Sequence, residues 1–314
     1  LALYQALPIT FLFKETLVIK TIGQTMKKLY IIVISLLIFS SCEEVIDLEL
    51  DNAPQQLVID AALDWKKGET KAQPIVDISR TQPYFSDTPS PAITDAVVKI
   101  STATRTYQLS LWDGTTTLTG ANVVPLKGGS RYTFTGGIPV SLGVSYELTI
   151  ELNGQTYKAK SKMLEAPTIP LNRVLQRNDG GLLGKQIELK FFFSGINDGT
   201  ANTYLVRLDE NDDVSKRYFG LLDDNYIANN QFFFITFGKK GDLKQNDRIR
   251  VRLHRVNPSY KEFAQFLLSP PTRQGNYSTP PRAVGNIINT QNKKQNPLGG
   301  FRVSQYTETE YIVR

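Results

Sequence analysis

The chain has 314 residues, a formal net charge of +6, a hydrophobic share of 41% and a charged share of 21%. That composition supports a buried core and excludes intrinsic disorder, and the length suits two ordinary domains. The basic excess does not point to nucleic acid. Half of it sits in the first 41 residues, where Lys14, Lys20, Lys27 and Lys28 face Glu15 alone, and the cluster Lys239, Lys240 and Lys244 lies beside Asp242 and Asp247 as a solvated loop face.

Residues 1–25 precede Met26 and are expected to be an over-extended reading frame, their apolar run broken by Lys14, Glu15 and Lys20. Residues 26–41 read as a lipoprotein signal peptide. Lys27 and Lys28 form the positive end, and residues 29–39 form an apolar run too short to span a bilayer. Phe39-Ser40-Ser41-Cys42 then places small residues before a cysteine, as a lipobox requires, and Cys42 is expected to carry the lipid that holds the chain on a membrane. It is the single cysteine of the sequence, so a disulfide has no second partner. Residues 42–55 form an acidic tether, in which Glu43, Glu44 and Asp47 resemble the surface-export signal of Bacteroidota lipoproteins.

From residue 56 onward, short β-branched and aromatic runs alternate with Gly, Asn, Asp and Pro. Strands are expected at 56–63, 75–80, 96–102, 104–112 and 131–135, with a hairpin at 144–161 turning on Asn153-Gly154, a pair that tolerates positive φ at both turn positions. This spacing predicts an immunoglobulin-like β-sandwich over 56–165. Residues 166–170 carry two prolines and read as a linker. Over 171–314 a second β-rich domain is expected, with strands at 186–193, 204–208, 231–237 and 247–255, and a closing pair near 284–288 and 301–305. The triplets Phe191-Phe192-Phe193 and Phe232-Phe233-Phe234 are expected to be core strands covered on both faces. One helix starts after Asn257-Pro258, with Tyr260, Phe263, Phe266 and Leu267 on one face. The fold class is therefore mainly all-β, a sandwich followed by a β-rich domain with one short helix.

The chemistry of the chain is sparse. Zinc needs clustered His, Cys or acidic ligands, and His254 is the one histidine, expected to face solvent from its strand with no nucleophile to serve. No metal and no cofactor are expected. The acidic run Asp209, Glu210, Asp212 and Asp213 reads as a hairpin tip, and numbered as a calcium loop it puts Val214 at the turn glycine and Gly220 at the bidentate glutamate. With Asp223 and Asp224 these carboxylates offer the one route to a hydrolase, which requires two acids in one cleft. Binding has a better lead in Tyr84 and Phe85, large rings in a Pro-containing loop of the sandwich where they contact a ligand, a partner or the sandwich edge.

Several segments together are similar to one family. They are residues 42–48, Gln56-Leu57-Val58-Ile59-Asp60, residues 78–85, Asp95-Ala96-Val97-Val98, and the strand from Gly143 with Gly154-Gln155-Thr156-Tyr157. Near the end come Gly285-Asn286-Ile287 and Pro297-Leu298-Gly299-Gly300-Phe301, where an aromatic is more usual than Gly300. This order resembles the Bacteroidota lipoproteins grouped as domain of unknown function 4249. The resemblance implies no reaction. It implies an accessory lipoprotein of a TonB-dependent (SusC-like) outer-membrane receptor, anchored in the outer membrane and displayed at the cell surface, that captures a small-molecule or oligomeric nutrient. The alternative is an envelope scaffold or outer-membrane assembly factor with protein partners only.

Overall fold

The computed structural model describes residues 54–83, 86–115, 118, 126, 128–181, 186–224, 230–238, 240–268 and 283–314. The first part carries β1 (Leu57–Lys66), β2 (Lys71–Ala72), β3 (Pro74–Arg80), β4 (Val97–Ser101), β5 (Thr106–Leu111), β6 (Ser130–Thr133), β7 (Ile138–Pro139), β8 (Ser145–Leu152) and β9 (Gln155–Lys162). The second carries β10 (Val174–Arg177), β11 (Glu188–Ser194), β12 (Thr203–Glu210), β13 (Asp213–Asp223), β14 (Gln231–Thr236) and β15 (Arg248–Arg255). After them come α1 (Pro258–Leu268), β16 (Ile288–Asn289) and β17 (Leu298–Ile312).

The first part is a β-sandwich. One sheet runs β17-β1-β3-β6 and the other β4-β8-β9-β16, and β5 joins them by pairing β4 from Thr106 to Leu109 and β6 through Ser110 and Leu111. Period-two alternation turns Ile59, Ala61 and Leu63 of β1 inward with Ile78, Val98, Ile100, Leu148 and Ile150, all fully buried. Each such aliphatic side chain contributes about 1.5–3 kcal/mol by leaving water. The β8–β9 hairpin turns on Asn153 (φ 50°) and Gly154 (φ 71°), as its sequence predicts.

The second core lies between the small sheet β10-β11-β14 and the row β13-β12-β15-β17. Here the phenylalanine triplets depart from expectation. Phe191, Phe193 and Phe232 are buried, and Phe193 stacks on Phe232 at 5.3 Å. Phe192 and Phe233 point the opposite way, Phe233 is 49% exposed, and the Lys190 ammonium stands 5.4 Å from its ring centre. The triplets thus alternate like any half-buried strand, and a cation–π contact covers part of the outer face that a second layer was expected to cover.

Residues 54–314 form one compact unit in which β17 is shared. Phe301 and Val303 belong to the first core and Tyr311 and Val313 to the second. β17 pairs in parallel with β1 over Leu298–Tyr306 and antiparallel with β15 over Gln305–Ile312. Met163 belongs to the first core and Ile169 to the second, so the chain passes between them near 166–170, but the closing segment returns: Ile287 is buried in the first core and β16 pairs with β9. Assigning all of 171–314 to a second domain therefore needs correction. The cause is that β17, the latest of the described strands in sequence, stands beside β1, the earliest, and joins the row β13-β12-β15 to the first sandwich.

α1 starts at the expected cap, where the Asn257 side-chain oxygen accepts from the Ser259 N–H at 3.1 Å. It buries Tyr260, Phe263 and Ala264 against Leu205 and Val256, with Leu268 packing there while Leu267 is exposed.

Candidate functional site

The loop leaving β3 closes over the open end of the first sandwich. Arg80, the last residue of β3, donates its N–H to Ser90 Oγ at 2.9 Å, and the Thr81 hydroxyl accepts from Gln56 N–H at 2.9 Å. Ser90 bridges in parallel to Gly128, and its carbonyl accepts from Gly129 N–H at 2.8 Å. Gly128 has φ +124°, and a Cβ there would lie 2.6 Å from Ser90 N, so only glycine permits this approach. Further along, Ile93 N–H donates to Ser130 Oγ at 2.8 Å and the Tyr132 hydroxyl to Ile93 O at 2.7 Å, which ties the loop to β6.

This arrangement leaves an open pocket of about 990 Å³ walled by Arg80, Gln82, Ser86, Asp87, Ser90 and Gly128 among others. Its polar groups are unevenly satisfied. Gln82 Nε2 is buried without a hydrogen-bond partner. Arg80 makes no ion pair among the described residues, whereas Arg131, Arg252, Arg255 and Arg302 all do. Burial pushes the Tyr157 phenol up and the Arg80 charge pulls it back, which places the guanidinium within electrostatic reach of β9. A second pocket, about 390 Å³, is lined by Asn197, Thr200, Asn202, Asp224 and Asn230. Its groups are engaged with one another: Asn202 Nδ2 donates to Ile196 O at 3.1 Å, Asn230 Nδ2 donates to Gly195 O at 2.8 Å, and Asp224 accepts from Asn202 N–H.

The face of the sheet away from the cores carries a row of charges. Arg302 donates to both oxygens of Asp64 at 2.9 and 2.7 Å, Ser304 Oγ donates to Asp64 at 2.7 Å, and His254 Nδ1 lies 3.0 Å from Ser304 Oγ. His254 was expected to face solvent; instead it is fully buried and stacked on Tyr306 at 4.8 Å. The reason is that arginines and carboxylates of neighbouring strands, together with α1, crowd this face. Burial holds the imidazole down to about 3, outweighing the pull of Asp64, so it is neutral at ordinary pH.

The acidic run is likewise a finding different from the expectation. Asn211 and Asp212 make the hairpin turn with positive φ, but Asp209 and Glu210 are buried residues of β12. Burial pushes the Asp209 carboxyl up, yet the hydrogen bond from Arg217 and the charge of Arg207 win and hold it below the usual range. Glu210 pairs with Lys216, Asp212 with Arg248 and Arg250, and Asp223 with Lys261. Each of these carboxylates thus faces a cation, whereas glycoside hydrolysis uses two carboxyl groups that face one another across a cleft. Among the described residues no group of three or more His, Cys, Asp or Glu stands together to hold a metal.

Cys42, Glu43, Glu44 and Asp47 lie outside the described residues, as do Tyr84 and Phe85. The loop that Tyr84 and Phe85 singled out is the one that walls the larger pocket, through polar neighbours that the aromatic signal did not mark. The charged sheet face had a partly readable signal: Asp60 and Asp64 in β1, Arg248, Arg250 and Arg252 in β15, and Arg302 in β17 alternate with apolar residues at period two, while Glu308 and Glu310 alternate with threonines.

Among solved structures the chain is similar to the FN1-FN3 domains of chicken CNTN1, at 11% identity and a TM-score of 0.24, covering 66% of this chain and 64% of that one. The chain thus spans under two thirds of that structure's length. No curated protein matches it. The family model described as Domain of unknown function (DUF4249) matches residues 43–310, and the chain belongs to that family.

Proposed function

We propose that this chain is a lipid-anchored, surface-displayed outer-membrane protein that captures a ligand for a TonB-dependent receptor and carries out no reaction itself. The observation that carries the reading is the open pocket of about 990 Å³ beside the end of β3, walled by polar residues of the loop that follows, Gln82, Ser86, Asp87, Thr88 and Ser90 among them. Loops on a rigid sandwich are where binding groups are commonly held. Support for the anchor comes from the lipobox ending at Cys42, and for export from the acidic residues Glu43, Glu44 and Asp47. A binding role also agrees with the pairing of the acidic candidates described above, since charges neutralised by neighbouring arginines and lysines serve packing before chemistry.

The test is affinity purification of the tagged chain from membranes in mild detergent, with mass spectrometry of what co-elutes. A stoichiometric TonB-dependent barrel is expected. Recovery of assembly machinery alone, or of no partner, would overturn the accessory role and favour the scaffold alternative or a free-standing binder.

A further inference from the structure

One face of the small sheet β10-β11-β14 packs on the second core, and the other meets solvent. Period two sends Phe191, Phe193 and Phe232 into the core, so the pairing register turns Leu175, Lys190, Phe192, Phe233 and Ile235 to the outer side. Leu175 is 54% exposed and Phe233 49%, and Phe192 and Ile235 are half-buried. Single apolar side chains on a surface are ordinary, but these adjoin: Leu175 and Ile235 flank Lys190 across the strands, and the Phe192 ring lies 5.8 Å from that of Phe233.

The charges beside this patch are positive. The Lys190 ammonium stands 5.4 and 6.0 Å from the ring centres of Phe233 and Phe192, and the Arg173 guanidinium donates to Gln231 Oε1 at 3.0 Å, two residues before Phe233 on the same side of β14. Neither cation is ion-paired among the described residues. The nearest acids, Glu188 and Asp179, stand at the Arg177 end of the sheet, where Asp179 pairs with Arg177 at 3.3 Å. An apolar centre with cations at its margin complements an anionic lipid leaflet, in which rings and aliphatic chains enter the acyl boundary while Lys and Arg meet the phosphates. An acidic protein would match the charge as well, but a protein interface centres on an anchor side chain held in a pocket, and these residues line neither pocket described above.

We infer that the outer face of the β10-β11-β14 sheet is a contact surface for an anionic lipid leaflet. The inference goes beyond the capture reading and stands without the receptor.

The experiment is co-sedimentation of residues 43–314, which start after Cys42 and keep the whole compact unit, with vesicles of phosphatidylcholine alone and of phosphatidylcholine mixed with phosphatidylglycerol. Binding to the mixed vesicles is expected, tighter than to the neutral ones and weakened by added salt. Lys190→Gln should weaken it about 5-fold, the effect of one cation at an anionic surface. Phe233→Ser should weaken it about 5-fold or more with a thermal midpoint close to that of the parent, and Leu175→Ser repeats the test on another strand if that variant does not fold. Leu267→Ser, which removes an equally exposed leucine from α1, should change nothing. No sedimentation with the mixed vesicles overturns the inference. Binding that none of the three sheet variants reduces, or that Leu267→Ser reduces as much, overturns the assignment to this face. Equal binding to the neutral vesicles overturns the role of the cations, and soluble polyglutamate that binds as tightly as the mixed vesicles makes the partner an acidic polypeptide and overturns the lipid. The chain tested carries no acyl group and no receptor is present, so a negative result counts against the sheet contact alone and not against the anchor or the accessory role.

Discussion

His254 sits as a neutral ring inside a row of charges, and this couples the stability of the fold to pH. Its folded pKa is depressed to about 3 from an ordinary value near 6.5. The unfolded chain takes up a proton below about pH 6.5 that the folded chain refuses, so this contribution is complete above that pH and is lost as pH falls towards the folded value. His254 is the sole histidine and Asp64, whose carboxyl is held low, begins to matter only below about pH 4; Asp60, whose carboxyl burial raises, gains stability on acidification instead, so the difference between the parent and a His254 variant, not the parent alone, reports on this ring. Urea unfolding at pH 7.5 and pH 5.0 should show the parent losing stability on acidification by up to about 1.4 kcal/mol per pH unit, and His254→Gln losing far less. The neighbouring pair gives a second expectation. Arg302→Met leaves Asp64 as a buried carboxylate without its cation and should cost about 3–5 kcal/mol in denaturant unfolding. The burial of His254 did not announce itself in the sequence: a His between arginines in a strand reads as solvated, and only the packing of neighbouring strands and a helix on that face decides otherwise.

Among the elements, β17 and its approach to β1 are the most exacting. Gly299 has φ +99°, and a Cβ on it would stand 1.9 Å from the carbonyl oxygen of Ile59, with backbone on both sides that cannot yield. Gly299→Ala is expected to destabilise by about 3 kcal/mol or more, or to prevent folding, as read by circular dichroism and thermal melting. Gly220 is the contrast. It lies within β13 with nothing near its missing Cβ and an ordinary φ, so Gly220→Ala should be neutral or slightly stabilising in the same melt. Gly300 is held small by its neighbours. A Cβ there would meet the rings of Phe263 and Tyr260 at 3.0 and 3.1 Å, so the aromatic that the resemblance led one to expect at this position would have to displace α1. The strands were legible wherever alternation met a turn signal, as at β8 and β9. β13 was not, because Ser215, Lys216 and Arg217 carry polar groups on both faces and hide its period.

At the scale of the whole molecule, the sequence shows the two cores but not their joint. Pro167 and Pro170 mark where one core ends, yet no local pattern tells that residues 287–303 go back to the first, since the partner of a parallel strand is far away in sequence and leaves no trace in its neighbours. The expectation that follows concerns fragments. Residues 54–165 expressed alone lack Phe301, Val303 and Ile287 and should give no cooperative thermal transition, whereas an independent domain would give one. The larger pocket was half legible, its loop marked by Tyr84 and Phe85 but its polar wall by no motif, because which side chains share a wall is decided by the fold around them. The position of β17 has one more consequence. A ribosome delivers this strand after every other described one, so neither sheet can complete its pairing until residues 298–312 have been made, and contacts this distant in sequence form slowly. Until β17 arrives, β1 and β15 each keep an unpaired edge, which is the interval in which a stray strand could take its place.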